Sequence, residues 1–161
     1  MSKIMFICCF VFLLIPCVAI AGPKTPCTVV ATANANTLVQ APSYYQELFF
    51  TTPTDFSGCC DNATPPTTFW GPTTATIIVA NSPQNPPPTA PVYMSLNTGT
   101  PTMVPISPQV LLSQGTTIIT KAQFPNWFPL STACATTIFT GVTVYSPGTP
   151  WVPASITVIW Q

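Results

Sequence analysis

The chain has 161 residues, of which only 4% are charged: it contains three basic residues, three acidic residues and no histidine. Acid–base catalysts, metal sites and phosphate-binding sites are built mainly from these scarce residue types. The composition therefore argues against an enzyme and predicts no cofactor, no metal site and no nucleic-acid partner, since so few lysines cannot neutralise a phosphate backbone.

Residues 1–21 have the three parts of a secretory signal peptide. A lysine near the start is followed by an apolar run over residues 4–15 and by small residues that predict cleavage after Ala21. The apolar run is short for a membrane span, which needs about 20 residues. The alternatives are an uncleaved anchor and lipid attachment at Cys17. We expect a secreted, periplasmic or cell-surface protein in which residues 22–161 form one domain without a membrane segment.

Removal of this leader reduces the number of cysteines from seven to four. An even number in an exported chain predicts disulfide bonds, here two. A bond between two adjacent cysteines would be strained, so each member of the adjacent pair is expected to bond to one of the two distant cysteines, in an order that the sequence leaves open. A metal–thiolate site is the alternative, but the chain lacks both a CxxC motif and histidine. The four residues are Cys27, Cys59, Cys60 and Cys134.

The distribution of proline and threonine predicts strands and not helices. Prolines occur throughout the mature chain, and they break helix interiors. Threonine, valine and isoleucine favour extended backbone. Short β-prone runs separated by Pro, Gly and Asn are typical of an all-β sandwich. The predicted strands are residues 27–33, 37–40, 44–51, 74–80, 92–96, 103–106, 116–120, 136–145 and 155–160, of which 37–40 and 103–106 have the weaker patterns.

The scarcity of charge also bears on the edges of the predicted sheet. Natural proteins often guard exposed edge strands with lysine or proline, and molecules with almost no charge repel one another only weakly. Threonine and proline could guard the edges here. We instead expect the edges to be occupied by a partner.

The few ionisable residues offer little for catalysis. Glu47, Asp55 and Asp61 are the only candidates for a carboxylate pair of the glycosidase type, and solvated loop acids are the simpler interpretation. A serine–lysine arrangement would have to use Lys24 or Lys121, and neither residue lies in a recognisable motif. We therefore predict that the chain is not an enzyme.

Three tryptophans lie in Pro- or Gly-bounded loops and are candidate ligand-binding aromatics. Exposed tryptophan rings can stack on sugar faces or anchor a protein interface. The alternative is that each ring covers one end of the core. The three residues are Trp70, Trp127 and Trp151.

The C-terminal segment has an alternating apolar pattern. Ile156, Val158 and Trp160 fall on one face of a strand, Trp160 is the penultimate residue, and Gly148 is fourteenth from the end. This ending resembles that of chaperone–usher pilus subunits. The resemblance implies an immunoglobulin-like sandwich that lacks one strand, which a periplasmic chaperone and then a neighbouring subunit supply. These four residues would then form the assembly strand and its preceding turn, and Trp160→Ala would block assembly while leaving export intact.

Two functions follow from these observations. The leading one is an exported structural or adhesive surface protein, a pilin-like subunit that assembles with itself or with neighbouring subunits by β-strand exchange. The alternative is a self-sufficient secreted β-sandwich module that recognises glycan or protein through its loop aromatics.

Overall fold

The computed structural model describes residues 27–40, 45–61, 66, 68–81, 86–98, 104–105, 109–112, 115–130, 139–147 and 151–161, with only the backbone described for 35–40 and 104–105. The predicted signal peptide, Lys24, Cys134 and Gly148 lie outside these residues. No helix in this described portion is long and apolar enough to cross a membrane.

The regular structure of the described residues consists of strands and two short 3₁₀ turns. The turns span Ser57–Cys59 and Pro125–Trp127. The strands are β1 (Val29–Gln40), β2 (Tyr45–Phe50), β3 (Thr74–Ala80), β4 (Val92–Thr98), β5 (Val104–Pro105), β6 (Val110–Leu112), β7 (Thr116–Thr120), β8 (Gly141–Tyr145) and β9 (Ser155–Trp160). The prediction of an all-β fold is therefore confirmed.

All nine strands belong to one antiparallel sheet. The order across it is β5, β4, β8, β2, β1, β9, β3 and β7, and β6 also pairs with β4. The sheet has two parts that meet at β1. We call β1 with β9, β3 and β7 the β9 half, and β2 with β8, β4, β5 and β6 the β8 half.

Strand β1 connects the two halves because its two ends have different neighbours. Residues 29–34 pair with β9, whereas residues 38–40 pair with β2; Ala33 pairs with both neighbours, and the register with β2 shifts between Ala33 and Leu38. A shift of this kind bends a strand. The sequence predicted two separate strands here, 27–33 and 37–40, where the structure has one.

The core lies between the inner faces of the two halves and is centred on Trp160. This residue is fully buried on β9. Its ring stacks on that of Phe139, with ring centroids 5.5 Å apart. It makes T-shaped contacts with Phe56 and Phe50, at centroid distances of 5.6 Å and 6.4 Å. The indole N–H donates a 2.9 Å hydrogen bond to the carbonyl oxygen of Trp127. Because Phe50 belongs to β2, these contacts join the two halves.

Most strand boundaries agree with the sequence pattern. Strands β3, β7 and β9 have the predicted bounds. The prediction for 136–145 is supported from Gly141 onward, where β8 begins. Strand β6 was not predicted, because a three-residue run is too short to show an alternation.

A disulfide joins Cys27 to Cys59. It ties the residue two positions before β1 to the end of the first 3₁₀ turn. Cys60 is also buried, and its Sγ lies 3.9 Å from the carbonyl oxygen of Phe56. The fourth predicted cysteine, Cys134, is outside the described residues.

Candidate interaction surfaces

Strand β9, the predicted assembly strand, lies inside the sheet and not at its edge. It pairs with β1 on one side and with β3 on the other. Ile156, Val158 and Trp160 all point into the core and are fully buried. In this fold a donor strand could pair with β9 only by displacing β1 or β3.

The three candidate tryptophans occupy different environments. Trp127 is fully buried and Trp151 is only 3% exposed, so the larger part of each ring packs in the core. Trp70 is 39% exposed. Its backbone N–H donates a 2.8 Å hydrogen bond to the carbonyl oxygen of Cys59, next to an isolated antiparallel β-bridge between Cys60 and Phe69. Of the three, Trp70 is therefore the most exposed to solvent.

Trp151 borders an open groove of about 310 Å³. One wall is the proline-rich segment 87–91, and the rest comes from the end of β3 and from Leu111 and Leu112 of β6. None of the lining residues is charged. The groove could accept an apolar segment, but nothing in it selects a particular one.

The outer face of the β9 half carries no charged side chain on its paired strand positions, and we call it the uncharged face. Threonine and β-branched aliphatic residues alternate there in rows that cross all four strands. Val30, Ile78 and Ile118 are 56%, 40% and 67% exposed. The two central rows are Val30–Ile159–Thr76–Ile118 and Thr32–Thr157–Ile78–Thr116.

The uncharged face ends at β7, the last strand of the described sheet on this side. The strand has the sequence TTIIT, so it carries neither proline nor charge. Lys121 follows the strand directly, where its backbone N–H donates to the carbonyl oxygen of Thr73 at 2.8 Å. The usual protections of an edge strand are therefore absent from β7 itself.

A row of three tyrosines crosses the outer face of the β8 half. Tyr45 stacks on Tyr145 with ring centroids 4.6 Å apart, and Tyr93 lies 6.3 Å from Tyr145 on the other side. Tyr45, at one end of the row, is 41% exposed. Sequence reasoning missed this row, although each tyrosine stands at or near one end of a predicted strand. The pairing register that aligns them was not visible in the sequence.

Hydrogen bonding and strand pairing account for the positions of Asp55 and Glu47. The exposed carboxylate of Asp55 accepts a 2.8 Å hydrogen bond from the backbone N–H of Ser57, and this bond lowers the pKa of Asp55 below its ordinary value of 3.8. Glu47 lies on β2 opposite Thr143 of β8. Among the described residues, no cluster of three or more His, Cys, Asp or Glu could hold a metal ion.

Comparison of the chain with protein-family models, curated proteins and solved structures found no match. Function is therefore inferred from the surfaces of the described residues.

Proposed function

We propose that this protein is an exported structural or adhesive surface component that acts by associating with other protein molecules through its sheet. The observation that carries the proposal is the uncharged face, which continues without interruption to the open edge at β7. Burial of exposed Val and Ile side chains favours association, and almost no charge opposes the approach of a second molecule.

The proposal retains β-strand pairing between subunits from the pilin-like scheme, but at a different site. Pairing at β9 would require the loss of the six residue pairs that it makes with β1 or the six that it makes with β3. Pairing at a sheet edge requires no such loss. A strand can therefore be added at an edge without breaking existing strand pairs.

Light scattering coupled to size exclusion tests this function. The chain would be recovered after export to an oxidising compartment, without partners, and measured over a range of concentrations and salt. We expect a mass above that of one chain that rises with concentration and changes little with salt, because few charges are present to be screened. A single-chain mass under every condition would contradict self-association.

The alternative function is glycan or protein binding by a self-sufficient module. The tyrosine row and Trp70 favour it, because aromatic rings at a surface contact sugars and protein partners well. A change in intrinsic fluorescence across a glycan panel would reveal binding. Loss of that response in Tyr45→Ala, but not in Trp70→Ala, would assign glycan binding to the tyrosine row. The absence of a response to any glycan would contradict glycan recognition.

We further propose that the two halves form the layers of an immunoglobulin-like sandwich held by a second disulfide between Cys60 and Cys134. The packing of Phe50 against Trp160 across the core supports two layers. Because Cys59 is bonded to Cys27, the adjacent Cys60 is left for the other distant cysteine. Tandem mass spectrometry of the unreduced peptides, with backbone cleavage between Cys59 and Cys60, should show Cys60 joined to Cys134. A bond between Cys59 and Cys134 would contradict this pairing.

A further inference from the structure

We propose that two copies of this chain pair through the outer edges of their β7 strands, so that one antiparallel sheet continues from one copy into the other. This inference rests on the proposed function and makes it specific, because it names the partner and the strand.

The backbone groups of Thr116 and Ile118 point toward the open edge. Val79 N–H donates to the carbonyl oxygen of Gly115, and Lys121 N–H donates to that of Thr73, both at 2.8 Å. In an antiparallel pair, residues whose backbone groups bond to the neighbouring strand alternate with residues whose backbone groups point away from it. The backbone N–H and C=O groups of residues 115, 117, 119 and 121 therefore point toward β3. The N–H and C=O groups of Thr116 and Ile118 therefore face outward, where no strand of the described structure pairs with them.

The C-terminal end of this edge is already closed by Gln123. Its side-chain Oε1 accepts hydrogen bonds from the backbone N–H of Thr120 at 3.3 Å and from the Thr120 hydroxyl at 3.0 Å. The carbonyl oxygen of Thr120 accepts from the N–H groups of Gln123 and Phe124. Among the described residues, the open part of the edge thus consists of Thr116 and Ile118.

Of the symmetric registers that pair only described residues, one uses both open positions. With Thr117 of one copy opposite Thr117 of the other, Thr116 of each copy faces Ile118 of the other. Each of these two contacts exchanges two hydrogen bonds, giving four in total. A shift that placed Ile118 opposite Ile118 would pair Thr116 with Thr120, whose backbone groups are already bonded.

The charge distribution permits the same register. Lys121 lies four positions beyond the centre at Thr117, so the two lysines stand on opposite sides of the contact, about 27 Å apart along the strands. That distance exceeds the screening length in physiological salt. The rows of the uncharged face also continue across the contact, with Ile118 beside Thr116 of the second copy.

The opposite end of the described sheet offers less for a second copy. Its two outer strands are β5, a two-residue strand that contains Pro105, and β6, a three-residue strand beside the proline-rich segment 87–91. Proline has no N–H to offer an added strand. The five-residue strand β7 carries neither proline nor charge, which is why a second copy is expected there.

Sedimentation equilibrium of the exported chain and of Ile118→Pro tests the inference. Proline removes the outward N–H of residue 118, which is not used in pairing with β3, and proline is tolerated at such edge positions. Two of the four hydrogen bonds are lost by symmetry, so we expect self-association to weaken about tenfold or more. Unchanged association of a folded Ile118→Pro variant would overturn the proposal.

A matched pair of lysine variants keeps the test decisive if the proline variant fails to fold. Ile118→Lys and Val30→Lys each add one charge to the uncharged face. The first charge lies on the edge strand β7, and the second lies three strands away on β1. Edge pairing predicts that Ile118→Lys weakens association and that Val30→Lys does not. Equal weakening would favour packing through the face and overturn the edge inference, whereas a monomeric unsubstituted chain would contradict self-association by any surface.

Discussion

Gly141 occupies a position where any side chain would meet backbone. A Cβ atom there would clash with the carbonyl oxygen of Leu48 and lie 3.0 Å from the Cα of Phe49, both on β2. Backbone atoms of a paired strand cannot move aside without loss of pairing. We expect Gly141→Ala to lower the free energy of unfolding by about 1–3 kcal/mol, as measured by urea denaturation.

Gly58 is the matched control for this substitution. A Cβ at Gly58 would have no neighbour within 4 Å, so Gly58→Ala should change the free energy of unfolding by less than about 0.5 kcal/mol. Equal effects of the two substitutions would show that the close approach of β8 to β2 is not what requires glycine.

Removal of either of two buried hydroxyl groups in the β8 half should affect the stability of the fold, but in different ways. The Thr143 hydroxyl lies within 3.0 Å of both side-chain polar atoms of buried Asn97. The Ser95 hydroxyl is buried and has no hydrogen-bond partner within the described part of the chain. Thr143→Val should therefore cost about 1–2 kcal/mol, because Asn97 loses a partner, whereas Ser95→Ala should be neutral or slightly stabilising. Thermal unfolding of both variants checks this, and a costly Ser95→Ala would contradict it.

At the scale of the strand, the central position of β9 changes the expected effect of Trp160→Ala. Trp160 packs on three aromatic rings and bonds to the carbonyl oxygen of Trp127. Its truncation should cost about 3–5 kcal/mol, so folding is lost together with assembly. Ile159→Ala, on the outer face of the same strand, should cost less than about 1.5 kcal/mol. Denaturant unfolding compares the two, and a stably folded Trp160→Ala that fails to assemble would restore the specific assembly role.

Strands could be predicted from the sequence where their patterns are long and uninterrupted. Alternation over Ser155–Trp160 and the β-branched runs Thr74–Ala80 and Thr116–Thr120 were sufficient to place β9, β3 and β7. The bend in β1 was not predictable, because it depends on which neighbour each end finds. The uncharged face and the tyrosine row depend on cross-strand register, which local patterns do not determine.

The free energy of unfolding should change little with pH between about 5 and 8, because the chain has no histidine, the side chain whose ordinary pKa lies in that range. Asp55 has a lowered pKa in the folded state, so its ionised form adds stability above its unfolded value of 3.8, and that stability is lost as the pH falls through the lowered pKa. The group is exposed, so the effect is small. Thermal unfolding measured from pH 3 to 8 should show a decline only at the acid end, and a steep change near neutrality would contradict this expectation.

The pairing of β1 with β9 has a consequence for when the molecule can fold. The hydroxyl groups of Thr32 and Thr157 meet at 3.0 Å although 125 positions separate them in the chain. Strand β9 also fills the space between β1 and β3. The β9 half therefore cannot form until β9 has emerged from the ribosome. Until then β1 and β3 lack the strand that lies between them, and such long-range pairing makes the subsequent folding slow.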